Sequence, residues 1–153
     1  MVDKAKIFLK EWMINFIKHK DIIANNLVSI EDGNELKAIY QNKEDYIVIE
    51  PFVKDFDVLF GKITKDKNVL IVLFNTIENF EIISLNWKRL IDFDKLTIYF
   101  VNMFSNTDTK WIIKPYLHNK ITDEKSLKSG LSSMFAMVEP ITEQEVLYKI
   151  SQK

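Results

Sequence analysis

The feature that most restricts the fold of this chain is an uninterrupted apolar run at residues 69–74. Such a run, bounded by polar turns, is typical of a strand that is covered on both faces. Thr76 follows as a helix N-cap, and apolar residues at helical spacing extend from residue 80 to residue 91. A second apolar segment, residues 96–102, completes a strand–helix–strand unit. Because the crossover in such a unit returns the chain in the same direction, the two strands are predicted to be parallel neighbours at the centre of a sheet.

The rest of the chain adds helices and strands to this unit. Apolar periodicity and turn signals predict helices at 4–24, 123–138 and 142–150, and strands at 26–30, 36–41, 46–52, 57–63 and 111–117. The predicted class is α/β, with a mixed central β-sheet flanked by helices. Its core order is α-β-β-β-α-β, with an added N-terminal hairpin and C-terminal helices. Three glycines and three prolines are scattered along the chain, so residues 1–153 are predicted to form a single domain.

Composition removes several classes of protein. The chain has no cysteine and two histidines, which excludes disulfides, zinc–thiolate sites and cysteine nucleophiles, and no metal or cofactor is expected. Basic and acidic residues nearly balance, 21 against 22, so binding of nucleic acid is possible but not supported by charge. The longest apolar run is far shorter than the roughly 18 residues that span a bilayer, and no signal peptide is visible. A cytoplasmic protein without membrane contact is therefore expected.

The familiar sequence signatures of enzymes are missing. The chain contains no glycine-rich phosphate loop, no Gly-x-Ser-x-Gly elbow and no His-Glu-x-x-His pair. This absence favours a protein that is not an enzyme.

An acidic residue and the end of the central strand carry a resemblance to a known family. Asp57 opens the predicted strand 57–63, and the central strand ends with Leu73-Phe74-Asn75. The order of the elements resembles the core of the PD-(D/E)XK, or restriction-endonuclease-like, nucleases, in which an acid begins the second core strand and Glu-x-Lys lies near the end of the third. The resemblance matches Asp57 to the first acid and Glu11 to the additional acid of some members.

Two positions depart from that family. Leu73 and Asn75 stand where the family has its glutamate and lysine. Because leucine cannot ligate magnesium, the resemblance implies a degenerate nuclease that no longer cleaves. The alternative is that Asp57 is a solvated aspartate after a turn and that Glu11 is surface charge.

A second group of polar residues follows the predicted strand 111–117. Tyr116, His118 and Lys120 alternate, so on a strand they would share one face, while Asn119 and Asp123 approach the start of the next helix. These residues are candidates for anion binding, and His118 is a candidate acid or base. Alternatively, His118 and Asn119 satisfy backbone groups in a strand-to-helix turn.

Three functions follow from these patterns. The first is a non-catalytic accessory module that binds a protein partner or associates with itself. The second is a degenerate nuclease-like module that contacts nucleic acid. The third is a small-molecule or phosphate-processing enzyme that uses Tyr116, His118 and Lys120. The candidate catalytic residues are Asp57, which the nuclease resemblance selects, and His118, which belongs to the third function.

Overall fold

The computed structural model of the protein describes residues 3–153, and across these residues the strands form one six-stranded sheet between two layers of helices. The strands are β1 (Leu27–Asp32), β2 (Leu36–Tyr40), β3 (Glu44–Ile49), β4 (Asn68–Phe74), β5 (Leu96–Val101) and β6 (Lys110–Ile113). The helices are α1 (Lys4–Ala24), α2 (Phe56–Phe60), α3 (Ile77–Leu85), α4 (Trp87–Leu90), α5 (Pro115–Ile121), α6 (Glu124–Met137) and α7 (Glu143–Ser151).

The strands lie in the sheet in the order in which they occur along the chain. β1, β2 and β3 form an antiparallel meander, β3, β4 and β5 run parallel, and β6 is antiparallel to β5. The predicted parallel pairing of β4 and β5 is confirmed, in register from Val69 opposite Leu96 to Phe74 opposite Val101. The mixed α/β class is confirmed as well.

Successive side chains of a strand point to opposite faces, so the central strands contribute to two cores. On one face, α1 and α7 pack over Leu70, Val72 and Tyr99. On the other face, α2, α3, α4 and α6 pack over the side chains that alternate with these, such as Ile71 and Leu73. β4 is therefore buried on both sides, as its apolar run predicts.

The predicted strand 57–63 is wrong, because this segment begins with α2. Asp55 caps the helix by accepting the backbone N–H of Asp57 at 3.0 Å, and Leu59 faces the core. The order α-β-β-β-α-β is present, but it runs from α1 to β4, so the hairpin of β1 and β2 belongs to that core and is not an addition to it. The helix expected over residues 80–91 is divided into α3 and α4 at Asn86, whose side chain donates to the carbonyl of Ile82 at 2.8 Å.

The predicted strand 111–117 is wrong in its second half. β6 ends at Ile113, and Pro115 opens α5. Proline lacks the N–H that a sheet ladder needs, whereas the first turn of a helix leaves that N–H unbonded in any case. The candidates Tyr116, His118 and Lys120 therefore lie on a helix.

The predicted C-terminal helices are confirmed as α6 and α7. Within residues 3–153, none of the helices combines the length and the apolar composition that crossing a bilayer requires.

Candidate functional site

The carboxyl ends of parallel strands are the usual ligand site of an open α/β sheet, but here the chain itself closes that edge. Asn75, directly after β4, accepts the indole N–H of Trp111 at 2.8 Å and donates to the carbonyl of Val138 at 3.0 Å. Asn102, directly after β5, donates to the carbonyl of Glu139 at 2.8 Å. Both asparagines are buried. Their amides are thus used to fasten the segment after α6 to the sheet.

The opposite edge, where the parallel strands begin, opens into a cavity of about 460 Å³. The cavity lies between the sheet and the C-terminal half of α1, and its volume falls within the range of roughly 300–1,000 Å³ that small-molecule sites occupy. Five neighbouring strands supply its floor, through Tyr40, Asp45, Leu70, Thr97, Tyr99 and Ile112. We call this space the α1 cavity.

Asp45 is the charged group at the floor of the α1 cavity. Its side chain is only 8% exposed, and in residues 3–153 its one ion-pair partner is Lys43, whose Nζ lies 3.7 Å away. That separation is longer than an ordinary hydrogen bond. Burial raises the pKa of Asp45, and this effect outweighs the nearby ammonium groups of Lys43, Lys20 and Lys114, which lower it. A carboxyl group in a cleft with a shifted pKa is typical of functional sites.

Two tyrosines line the cavity with Asp45: Tyr40 on the adjacent strand β2 and Tyr99 on β5, two strands away. Tyr99 is 5% exposed, and burial, with a smaller contribution from the charge of Asp45, raises its pKa to about 12. Burial also raises the pKa of Tyr40, again with a contribution from Asp45. Both phenols are therefore protonated at neutral pH, and each can donate a hydrogen bond.

Four lysines line the cavity, namely Lys20, Lys43, Lys95 and Lys114. Lys43 is paired with Asp45, whereas no carboxylate within residues 3–153 lies at ion-pair distance from the other three. The cavity therefore presents ammonium groups whose charge the protein has not neutralised by direct pairing.

Asp21 also lines the cavity, but the end of α1 already uses its carboxylate. Its oxygens accept the backbone N–H groups of Asn26 at 3.0 Å and Leu27 at 2.8 Å. Asn25, between the helix and these bonds, has a left-handed φ of 53°. Asp21 therefore fixes the turn that leads from α1 into β1.

The acids that the nuclease resemblance selects do not line this cavity. The Asp57 side chain is 78% exposed on α2, where it accepts a hydrogen bond from Arg89 Nη1 at 2.9 Å. Glu11 is exposed on α1. Leu73 is buried in the core, and Asn75 has the structural bonds described above.

The helical conformation separates His118 from the two residues predicted to share its face. Tyr116 and Lys120 are one turn apart, and Lys120 Nζ lies 4.2 Å from the centre of the Tyr116 ring. His118 is about 200° around the helix from each of them. It packs edge-on against Trp87, with 6.0 Å between the ring centres. The prediction that these three side chains lie on one face is wrong.

The other members of this group have structural partners. Asn119 accepts the indole N–H of Trp87 at 3.2 Å. Asp123 caps α6 by accepting the N–H of Ser126 at 2.8 Å. His118 Nε2 is buried without a hydrogen-bond partner within the described residues, and burial lowers its pKa. A role for these residues in ligand binding stays a prediction.

The sequence carries one signal for the α1 cavity that belongs to none of the motifs considered above. Asp45, Ile47 and Ile49 alternate along β3, so an ionisable residue occupies the inward row of a strand. The tyrosines and lysines carry no comparable signal, because they meet Asp45 only through the pairing of distant strands.

No group of three or more His, Asp or Glu side chains between residues 3 and 153 is arranged to hold a metal ion. Comparison with known proteins finds no matching family model, no matching curated protein and no matching solved structure.

Proposed function

We propose that this protein is a binding domain that takes a small polar molecule in the α1 cavity. The observation that carries the proposal is the Asp45 carboxyl at the floor of the cavity. A buried charge is costly unless it is paired and hydrogen-bonded, and the ion pair between Asp45 and Lys43 is long. A bound molecule that donates hydrogen bonds to Asp45 would supply the missing partners.

A variant that blocks the cavity tests this proposal. Ala24 lies at the exposed end of α1 and lines the cavity, so Ala24→Trp fills its mouth and leaves the core unchanged. Ala136, which is exposed on α6 and does not line the cavity, offers the matched control Ala136→Trp. The probes are a panel of sugars, amino acids, organic acids and sugar phosphates, and the readout is the melting temperature.

We expect at least one compound of the panel to stabilise the native protein and Ala136→Trp but not Ala24→Trp. A ligand at 100 times its Kd stabilises a protein by about 2.7 kcal/mol, which such a screen detects readily. If Ala24→Trp responds to every compound as the native protein does, the α1 cavity is not a binding site.

Association with a protein partner or with itself is a second candidate function. It is supported by apolar side chains at exposed positions near the end of α1 and on the edge strand β1: Ile22 is 69%, Ile23 97% and Val28 63% exposed. Analytical ultracentrifugation over a range of concentrations tests self-association. We expect a dimer that Ile23→Lys weakens, and a native protein that is monomeric at every concentration would contradict self-association.

The remaining interpretations of the sequence have less support. An enzyme that uses Tyr116, His118 and Lys120 together is not supported, because His118 lies on the other side of α5 from the other two. The resemblance to nucleases stays a prediction, and the Arg89 pair accounts for Asp57 without a metal.

A further inference from the structure

We infer that the molecule bound in the α1 cavity carries an anionic group at one end and hydrogen-bond donors, such as hydroxyl groups, at the other. This inference rests on the proposed function and specifies the class of ligand.

The anionic end follows from the lysines. Lys20 on α1 and Lys114 after β6 border the cavity from two elements, and their charges act on Asp45 at its floor together with that of Lys43. Lys20 and Lys114 have no ion pair in residues 3–153. Ammonium groups that line one cavity with no carboxylate at ion-pair distance among the described residues attract a phosphate or a carboxylate group.

The other carboxylates of the cavity form no direct ion pair with these lysines within the described residues. Asp21 is hydrogen-bonded to the backbone after α1, and Asp94 has no lysine at ion-pair distance within residues 3–153. Two protonated phenols, those of Tyr40 and Tyr99, add further donors. An anion that enters the cavity can therefore pair with these lysines and accept hydrogen bonds from these phenols.

The donor end follows from Asp45. A ligand that was anionic throughout would be repelled by this buried carboxylate, whereas a hydroxyl or amino group would satisfy it. The cavity thus offers a ligand two kinds of contact. Its floor carries a hydrogen-bond acceptor, and ammonium groups surround that acceptor. A polyol phosphate and a hydroxylated carboxylic acid both have this polarity, and both are small enough for about 460 Å³.

Four small molecules used as probes test the anionic group and the hydroxyl groups of the ligand separately. Glycerol 3-phosphate and glycerate carry both groups, inorganic phosphate carries only the anion, and glycerol carries only the hydroxyls. Binding is measured by isothermal titration calorimetry at constant ionic strength. We expect one of the two complete probes to bind at least tenfold more tightly than inorganic phosphate and glycerol.

Variants assign each end to its residues. Replacing Lys20 and Lys114 together by alanine should lower the affinity for the probe that carries both groups at least tenfold. The matched control replaces Lys125 and Lys128, which are exposed on α6, and should leave the affinity unchanged. Asp45→Val should leave phosphate binding in place and remove most of the advantage of the complete probe over inorganic phosphate.

The outcomes distinguish this inference from the function on which it rests. Equal affinities for the complete and partial probes, no binding of any of them, or unchanged affinity in the Lys20 and Lys114 variant would overturn the inference. If Ala24→Trp still abolishes the response to another compound of the panel, the cavity binds ligands and only the assigned polarity is wrong. If no compound depends on the cavity, both proposals fail.

Discussion

At the scale of single residues, Asp45 should cost the protein stability when it is ionised. Because burial raises its pKa above the ordinary 3.8, the native state holds more protons than the unfolded chain once the pH exceeds 3.8. The free energy of unfolding therefore falls as the pH rises through this window, and the loss is complete above the native pKa. Residues that bind ligands often carry such a cost.

The first prediction is that Asp45→Asn melts at a higher temperature than the native protein at neutral pH. The difference should shrink as the pH is lowered toward 3.8, because the native carboxyl is then protonated as well. Thermal unfolding from neutral to mildly acidic pH measures this, with Asp108→Asn in an exposed loop as the control. A variant that is less stable than the native protein at neutral pH would show that Asp45 contributes to stability through contacts within the domain.

His118 gives the second prediction. His118→Ala should lower the free energy of unfolding by about 0.5–1.5 kcal/mol, because it removes an edge-on aromatic contact but no hydrogen bond from Nε2 to any of residues 3–153. Burial lowers the pKa of His118 below the ordinary 6.5, so the unfolded chain binds the proton first and the native protein loses stability as the pH falls below 6.5. The variant should lack this part of the acid sensitivity. Urea unfolding at two pH values measures both effects, and a loss well above this range would indicate a hydrogen-bond partner.

The candidate site shows which residues the sequence can reveal. Asp45 is visible as an ionisable residue in an alternating apolar strand. Lys20, Tyr99 and Lys114 are ordinary residues in the sequence, because only the alignment of α1, β5 and the end of β6 brings them to the same cavity. The order of elements points to Asp57 and the alternating spacing to His118, and neither pattern depends on what surrounds these side chains in the fold.

At the scale of helices and strands, Asn75 joins β4 to β6 and to the segment after α6. The third prediction is that Asn75→Ala lowers the free energy of unfolding by about 2–4 kcal/mol, because it leaves the indole N–H of Trp111 and the carbonyl of Val138 buried without partners. The exposed loop residue Asn106 provides the control Asn106→Ala, with an expected change within about 0.5 kcal/mol. Equal effects of the two substitutions would show that the bonds of Asn75 contribute nothing.

The elements that the sequence predicted correctly are those with long or strongly patterned segments. α1, α6, α7, the hairpin and the central parallel pair all have unambiguous periodicity or turns. The segment 57–63 is short, and its pattern of apolar residues suits a strand as well as a helix. The N-cap at Asp55 favours the helix, and the segment begins with α2. Pro115 cannot donate a hydrogen bond to a neighbouring strand, which indicates that the strand ends before it. The apolar residues on both sides of Pro115 nevertheless favoured one longer strand.

At the scale of the whole molecule, the fourth prediction is that the purified protein does not cleave DNA or RNA in the presence of magnesium. In the observed order of elements the third strand is β3, and its end, Ile47-Val48-Ile49, is as apolar as the end of β4. Neither strand end carries the Glu-x-Lys that the nuclease resemblance requires. Gel assays with single- and double-stranded substrates test this, and cleavage that disappears in Asp57→Ala would contradict it.

The protein could also bind nucleic acid without cleaving it, and the salt dependence of the affinity tests this. If nucleic acid binds through its phosphates, affinity should fall steeply with added salt. Such binding would support the degenerate-module interpretation, whereas affinity that is insensitive to salt would not.

The bonds that fasten residues 138 and 139 to the sheet also set an order of events during protein synthesis. Val138 is made 63 residues after Asn75, a delay of about 3–13 s at a translation rate of ~5–20 residues per second. Trp111 is made within that interval, but the side-chain amide of Asn75 still lacks the carbonyl of Val138 and that of Asn102 lacks the carbonyl of Glu139, so the ends of the two central strands cannot reach their final buried state. A nascent chain halted before residue 138 should therefore remain sensitive to protease, however completely its strands have emerged.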